Sequence, residues 1–429
     1  MVTSRAAPRP AASGPRVLII IQNLHVPFDR RVWLECQTLV AAGYDVTVIC
    51  PRGPDSKPYE VIEQVAVHTY PPYAPGGRAA GFVIEYAYSF LATARLAVKA
   101  RRRGAFDVVQ ACNPPDIFWP LAGWLRRRDG SRFVFDHHDL CPELFDSRFP
   151  GGSRIARRGL LLLERATFRT ADRVTSTNES YARVAMERGG LSPDQVTVVR
   201  TGPDAERLRR GPVDPEWRRG RQHLVAYLGV MGPQDGVDIA LAAAETIVHR
   251  MGRRDIAFTF MGGGDCHADL VAERERLGLE DFVELPGRVP DATVAGVLSA
   301  ATVGLCPDPK NPLNDVSTMN KTMEYMAFGL PVVAFDLAET RVSAQDAAVY
   351  VLSGRVEDYA RAIVDLVDRP EVCAEMGRVG RDRVERVLSW SHQRQAYLDV
   401  YDGLLGRAHR ALLPEPAGAG TSPPLAGEG

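Results

Sequence analysis

Three stretches of this chain carry residue types suited to binding an anion or moving a proton. The first is Pro307–Asp336, PDPKNPLNDVSTMNKTMEYMAFGLPVVAFD. Its prolines keep the opening out of regular structure, Ser317 suits a helix N-cap, Gly329 suits the residue after the last turn, and Pro331 stops the helix. At about 100° per residue, Ser317, Lys321, Glu324 and Phe328 share an arc of roughly 60°, with Met319, Met323 and Met326 nearly opposite. The Met face is therefore predicted to be core. Lys321 near a helix N-terminus suits a phosphate, because free N–H groups and the dipole already favour negative charge there. Spacing alone leaves a second reading open, an exposed face with a weak i,i+3 ion pair.

The second stretch is NLHVPFDRR, Asn23–Arg31. Asp29 can cap the following helix, yet Arg30 and Arg31 then occupy its first turn, where cations oppose the dipole at a cost of about 0.3–1 kcal/mol each. That placement makes sense if they meet an anion or an acidic residue across a cleft; projection into solvent is the alternative. The third is RFVFDHHDLCPEL, Arg132–Leu144. Phe133–Phe135 reads as buried strand, at whose end Asp136, His137, His138 and Asp139 emerge. A lone histidine is more often structural than catalytic, but two histidines flanked by two carboxylates at a strand end are less easily dismissed, since carboxylates orient an imidazole and raise its pKa.

Taken whole, PxxNDVSTxxKxxEYMAxGxPVVAFD followed by Glu339–Arg341 resembles the donor-binding segment of glycosyltransferase family 4. The resemblance implies the GT-B architecture, α/β with two facing Rossmann-like domains and a C-terminal helix crossing back onto the first. It also implies retaining chemistry on a sugar nucleotide, with many members building surface polysaccharides. Glu324 matches the second glutamate of the E-x7-E pattern and is implied to hold the nucleotide ribose. The first glutamate is replaced by Val316, with Asp315 beside it, and Lys321 matches the branch reading K-x-x-E-Y-M-A. His138 matches the HD…PE loop facing the acceptor. FDRRVWxE…GYxVTVICP is similar to the opening of family members, without the Gly-Gly that many carry.

The elements that must position these groups alternate. Arg16–Gln22, Asp45–Cys50, Val65–Tyr70, Asp107–Gln110, Arg132–Asp136 and Arg173–Thr177 read as strands and Arg30–Ala42 as a helix, so a parallel sheet covered by helices is expected. In such sheets the binding loops follow the strand C-termini. Arg200–Gln222 reads as a linker, and a second series opens at Leu224–Leu228. The loop GVMGPQDG, with Gly229 and Gly232, lets backbone approach a ligand before a helix near Asp235. The Arg and Lys implied elsewhere in the family to clamp the donor diphosphate align here with Val230 and Asp235. Charge for the phosphates must then come from Lys321, helix dipoles or first-domain arginines. FMGGGD, around Gly263, lacks G-x-G-x-x-G spacing, which argues against a dehydrogenase. ELPGRVP resembles the family's base-pocket loop, around Arg288. Donor contacts are thus expected from Gly229, Gly232, Gly263, Arg288, Asp315, Ser317, Lys321 and Glu324. Catalysis is expected of His138, Lys321 and Glu324, and the acceptor or phosphate side of Arg30, Arg31, Asp136 and His138.

The expected domains are 16–205, completed by a helix over 389–411, and 223–388, with 1–15 and 413–429 as disordered tails. Length and an ordinary 45% hydrophobic content fit two soluble domains. Seven cysteines without CxxC spacing argue against a disulfide framework or zinc site, and so for the cytoplasm. No DxD carboxylate motif occurs, so no metal or other cofactor is expected. Residues 1–210 hold 30 Lys/Arg against 21 Asp/Glu, and the remainder 22 against 32, so the first half is basic and the second acidic. With five arginines in Ser153–Asp172, this suggests an anionic membrane surface as a partner, on the inner face of the plasma membrane; an ordinary sheet-covering helix is the alternative. A nucleotide-sugar donor and a glycan or lipid-linked acceptor are the other expected partners, and nucleic acid is not. The rival readings are a sugar-nucleotide epimerase of the same architecture and a catalytically silent nucleotide-binding scaffold.

Overall fold

Apolar runs too short for anything but strands alternate with amphipathic helices, and the chain resolves them into two parallel sheets. The computed structural model describes residues 14–73, 79–205 and 207–407. In the first domain the order is β1 (Arg16–Ile20), α1 (Arg30–Ala41), β2 (Asp45–Pro51), β3 (Tyr59–Ile62), β4 (Val65–Tyr70), α2 (Ala79–Ala100) and β5 (Val108–Cys112). It continues with α3 (Trp119–Asp129), β6 (Arg132–His137), α4 (Cys141–Arg148), α5 (Arg154–Thr170), β7 (Arg173–Ser176), α6 (Glu179–Gly189) and β8 (Val196–Val198). The sheet order is β3-β4-β2-β1-β5-β6-β7-β8, all parallel except the β3–β4 hairpin. The edge strand β3 and the helices α2, α3 and α6 have no counterpart in the sequence reading.

The second domain runs β9 (His223–Leu228), α7 (Val237–Glu245), β10 (Ile256–Met261), α8 (His267–Arg276), β11 (Val283–Gly287), α9 (Asp291–Ala300), β12 (Val303–Cys306) and α10 (Asn320–Ala327). It ends with β13 (Val332–Phe335), α11 (Ala338–Ala344), β14 (Ala348–Val351), α12 (Val356–Val367) and α13 (Pro370–Arg383), before α14 (Trp390–Leu405). Its six strands are all parallel, in the order β11-β10-β9-β12-β13-β14. The central strands β10, β12 and β13 are buried on both faces, as parallel strands covered by helices must be, and the edge strands β11 and β14 partly so.

Helix α14 follows the second domain in sequence but completes the core of the first. Trp390, Tyr397, Leu398 and Tyr401 pack with β1 and α1 residues, and the Trp390 indole N–H donates to Thr38 Oγ1 at 3.0 Å. Of the expected tails, 1–13 and 413–429 lie outside the described residues, as does the end of the 389–411 segment. No described helix is long and apolar enough to cross a membrane.

One expected boundary is corrected. Ser317 does not cap the donor-motif helix. A 3-10 turn occupies Asn314–Val316, and α10 begins three residues later, after Met319. The Ser317 hydroxyl is already committed, donating to Leu313 O at 2.7 Å and lying 2.8 Å from the Tyr181 hydroxyl. Met319, Met323 and Met326 are core, as their spacing requires.

Candidate active site

The loops after the C-terminal ends of the strands in the two sheets face one another, and the candidate residues gather there. On the second domain, the loops after β9 and β10 touch backbone to backbone. Gly262 has φ +140°, and a Cβ on it would lie 1.8 Å from the Gly229 carbonyl oxygen, so no side chain fits. Gly229, at φ +157°, also stands close over the Lys321 stem: a Cβ there would meet Lys321 Cε at 3.1 Å. Gly263 leaves room for the Arg288 side chain, whose guanidinium lies 5.4 Å over the Phe28 ring of the first domain. At Gly232 the N–H donates to Asp235 Oδ2 at 2.9 Å, closing the turn ahead of α7.

Lys321 does not lie on an exposed face. It is buried, its Nζ bonded to Asp308 Oδ1 at 2.7 Å and 5.0 Å above the Tyr227 ring. Burial alone would strip its proton; Asp308, then Tyr227, outweigh this and hold its pKa well above the usual lysine value. Asp235 joins the group, its pKa pushed up to about 6 by burial with Lys321 opposing. One ammonium therefore stands among two carboxyls where a cationic clamp was expected. Nor does Lys321 pair with Glu324 through a hydrogen bond. Glu324 Oε1 instead accepts from Arg30 Nη1 at 2.9 Å, across the cleft, and Arg30 Nη2 reaches Asp291 Oδ1 at 2.9 Å. Burial raises the Glu324 pKa and Arg30 works against it.

The arginine pair at the start of α1 thus has two different duties. Arg30 meets acids across the cleft, as expected. Arg31 is not a cleft residue: it is buried in its own domain, and neither arginine projects freely into solvent. Its Nη2 donates to Asp136 Oδ1 at 2.8 Å, its Nη1 to Val199 O at 2.7 Å, and its Nε lies 2.8 Å from His138 Nε2 and 3.0 Å from Glu35 Oε1. Asp136 is fully buried as well and cannot touch an acceptor. Burial would raise its pKa, but Arg31 and His138 hold it well below the carboxylate range. His138 remains partly exposed, with Nε2 against Asp136 Oδ2. Its neighbour His137 turns inward among Phe135, Phe168 and Tyr181, where burial drives its pKa down to about 3, so it is a neutral core ring.

Asp315 and Ser317 face other groups than a donor. Asp315 Oδ1 accepts from Ala338 N at the start of α11 and pairs with Lys310, both at 2.9 Å. Val316 packs against the interdomain apolar cluster of Leu140, Tyr181 and Leu313. Asn178, the N-cap of α6, bonds Val316 O and Thr318 Oγ1 at 2.9 Å each. The loop ahead of α10 is thereby seated on the first domain.

Sequence reasoning missed Asp308, Asp291, Glu35 and Gln110. Glu35 had a readable signal, its i,i+4 spacing from Arg31. The others depend on which strand ends become neighbours. Among the described residues, Cys112, Asp136 and His138 offer ligand atoms within 4.8 Å of one another. The Arg31 guanidinium already fills the cationic role there, bonded to Asp136 and in contact with His138.

Residues 29–207 match Glycosyltransferase Family 4 and residues 222–369 match Glycosyl transferases group 1, one on each domain. The chain belongs to glycosyltransferase family 4. It is a glycosyltransferase of the GT-B fold. It is similar to the D-inositol 3-phosphate glycosyltransferase of Gordonia bronchialis, 26% identical over 73% of this chain and 69% of that protein. The 2-deoxystreptamine glucosyltransferase of Streptomyces kanamyceticus is 26% identical over 72% and 81% of the two chains. Among solved structures, sucrose-phosphate synthase from Thermosynechococcus elongatus superposes with TM-score 0.69 at 17% identity, covering 91% of this chain and 99% of that one. Anabaena HepE, solved with UDP-glucose, gives 0.67 at 14% identity over 90% and 99%. At such identities these structural likenesses speak for the fold alone.

Proposed function

We propose that this family member is a retaining transferase that takes a sugar from a nucleotide-sugar donor on the second domain and passes it to a glycan or lipid-linked acceptor on the first. Surface glycan synthesis is the process it would serve. The observation carrying this reading is the meeting of Glu324, on the donor-motif helix, with Arg30 of the opposite domain. It puts a carboxylate able to accept from two ribose hydroxyls within a few ångströms of a cation able to face a diphosphate. A nucleotide-sugar donor is supported by the complex of HepE with UDP-glucose, and sugar transfer by relatives named D-inositol 3-phosphate glycosyltransferase and 2-deoxystreptamine glucosyltransferase. In the step itself, the bond from the sugar anomeric carbon to the phosphate oxygen breaks and a bond to the acceptor oxygen forms on the same face. The acceptor's proton goes to the leaving phosphate. Glu324 positions the nucleotide, Arg30 and the α10 N-terminus oppose the charge developing on the diphosphate, and His138 orients the acceptor.

The second reading, a scaffold that binds nucleotide without turnover, has its own observation: Lys321 is answered by Asp308, with Asp235 beside it. Thermal shift with a panel of sugar nucleotides separates the outcomes when followed by product analysis, because a ligand bound to the folded state raises its stability. Stabilisation plus a new glycoside, undiminished in EDTA, is expected. Stabilisation with neither transfer nor hydrolysis would establish the scaffold, and an isomerised nucleotide sugar without acceptor would establish an epimerase.

A further inference from the structure

Behind His138 lies a buried polar chain that none of the chemistry above uses. It begins on α14, where the hydroxyls of Tyr397 and Tyr401 both donate to Gln110 Oε1, Tyr397 at 2.8 Å, and lie 2.9 Å from each other. Gln110, on β5, is fully buried and turns its amide nitrogen the other way. Nε2 donates to Glu35 Oε2 at 2.7 Å and reaches Asp136 Oδ2 at 3.3 Å. Asp136 Oδ2 in turn meets His138 Nε2, while Thr175 Oγ1 and Arg31 hold Asp136 Oδ1, each at 2.8 Å. This orientation of the amide gives every group a partner, its N–H groups toward the two carboxyls and its oxygen toward the two hydroxyls.

We infer that Gln110, Tyr397 and Tyr401 are positioning residues for His138: the C-terminal helix fixes the Gln110 amide, which holds Asp136 directly and Arg31 through Glu35, and Asp136 and Arg31 fix the ring. The charged and titratable groups facing this cluster come from every element around it. Arg31 and Glu35 lie on α1, Cys112 on β5, Asp136 on β6, and the two tyrosines on α14. Arg31 also grips Val199 O and, at 3.1 Å, Thr201 Oγ1, where the chain leaves the first domain. His138 Nε2 cannot both accept from Arg31 and donate to Asp136, since one imidazole nitrogen holds either a lone pair or a proton. Whichever bond forms, Nε2 is taken by buried groups and Nδ1 is the nitrogen left for a molecule in the cleft. A helix that sequence places at the far end of the second domain thus reaches the acceptor side of the first.

The catalytic consequence rests on His138 acting toward the acceptor; the positioning does not, and the experiment reads them separately. The imidazole nitrogen signals of His138, assigned by loss in His138→Ala, are recorded on the full chain with labelled histidine. Tyr401→Phe, Tyr397→Phe and Gln110→Met are compared with wild type, with melts to confirm folding. The expected result is a changed Nδ1/Nε2 pattern for His138 in Tyr401→Phe and Gln110→Met, and an acceptor KM several-fold higher with an unchanged donor Kd. Tyr401→Phe removes a single oxygen and keeps the ring packing, so it remains informative if Gln110→Met fails to fold. Unchanged His138 signals in a folded Tyr401→Phe, Tyr397→Phe double variant would overturn the inference. Changed signals with wild-type transfer in His138→Ala would leave the positioning intact and remove the acceptor role instead.

Discussion

At the scale of single residues, the Lys321 ammonium is balanced by the carboxyls of Asp308 and Asp235. Breaking a buried ion pair leaves the partner charge without an answer and costs about 3–5 kcal/mol, more than the pair itself contributes. Lys321→Ala should therefore lower the melting temperature strongly and say little about catalysis by itself. Adding Asp308→Asn removes the orphaned carboxylate, so the double variant should regain most of the stability. If Lys321 faces the diphosphate, that refolded double variant still loses about 10²–10³-fold in kcat/KM for the donor, the size of one preorganised charge-stabilising contact. Near-wild-type turnover in it would assign Lys321 a purely structural role and leave the phosphates to Arg30. The sequence made Lys321, Glu324 and Arg30 legible, because helical spacing and a cation in the wrong turn are local signals. It could not reveal Asp308 or Asp291, since what makes them neighbours of Lys321 and Arg30 is the order of strands and the closing of two domains. It misjudged Arg31 and Asp136 for the same reason. Adjacent residues in one chain segment point in different directions, about 100° apart for Arg30 and Arg31 on a helix and to opposite faces at a strand end for His137 and His138, and only packing decides which direction is the cleft.

At the scale of elements, the glycine-rich turn ahead of α7 carries a pH dependence. Burial raises the Asp235 carboxyl to about 6, from 3.8 in an unfolded chain. Below about pH 4 both states are protonated and the group is neutral in its effect. Between about 4 and 6 the folded chain keeps a proton that the unfolded chain has lost, so stability falls as pH rises through this window. Asp235→Asn should flatten that slope and add ~1–3 kcal/mol at pH 7, read from melts between pH 4 and 7. An unchanged slope would show that Asp235 titrates normally. Strand and helix alternation was plain from the sequence, whereas the start of α10 was not. Ser317 has the chemistry of a cap, but its hydroxyl bonds Leu313 O and meets Tyr181, and tertiary contact overrides the local preference. Helix α5 shows how far patterning reaches. It leaves Ile155 and Leu162 81% and 68% exposed beside Arg154, Arg158 and Arg165, the composition of a surface that docks on anionic lipid. Vesicles with anionic lipid should pull the protein down in a salt-sensitive way, and Ile155→Ser, Leu162→Ser should abolish this. Equal sedimentation with neutral vesicles would make α5 an ordinary covering helix.

At the scale of the whole molecule, the uneven charge of the two halves becomes a set of named contacts. From the first half come the donors and cations: Arg30 to Glu324 and Asp291, Ser180 to Glu339, and Asn178 to Val316 O. Arg200, at the exit from the first domain, stands 3.9 Å from Glu339. The second half supplies mostly carboxylates and carbonyls. The Arg30 pairs are partly exposed, with the Arg30 side chain 46% accessible, so they are screened by salt. The apolar patch of Leu140, Tyr181 and Leu313 is small, and interdomain motion is the expectation for an interface without a large hydrophobic contact. Donor binding must also loosen Arg30 from Glu324 if the ribose is to take that carboxylate, so ligand and latch compete for one oxygen pair. The screening length shrinks from about 10 Å at 0.1 M to about 3 Å at 1 M salt. The radius of gyration measured by X-ray scattering should therefore rise with salt in the free protein. Arg30→Ala at low salt should reproduce most of that rise, because one residue holds two of the cross-cleft pairs. Adding a sugar nucleotide should return the wild type to the smaller radius at high salt, but restore the variant only partly, since the arginine that would follow the diphosphate is gone. A radius indifferent to salt, and equal in Arg30→Ala, would mean that the two domains are held by the apolar patch, the crossing helix α14 and the linker alone, with Arg30 a bystander to closure.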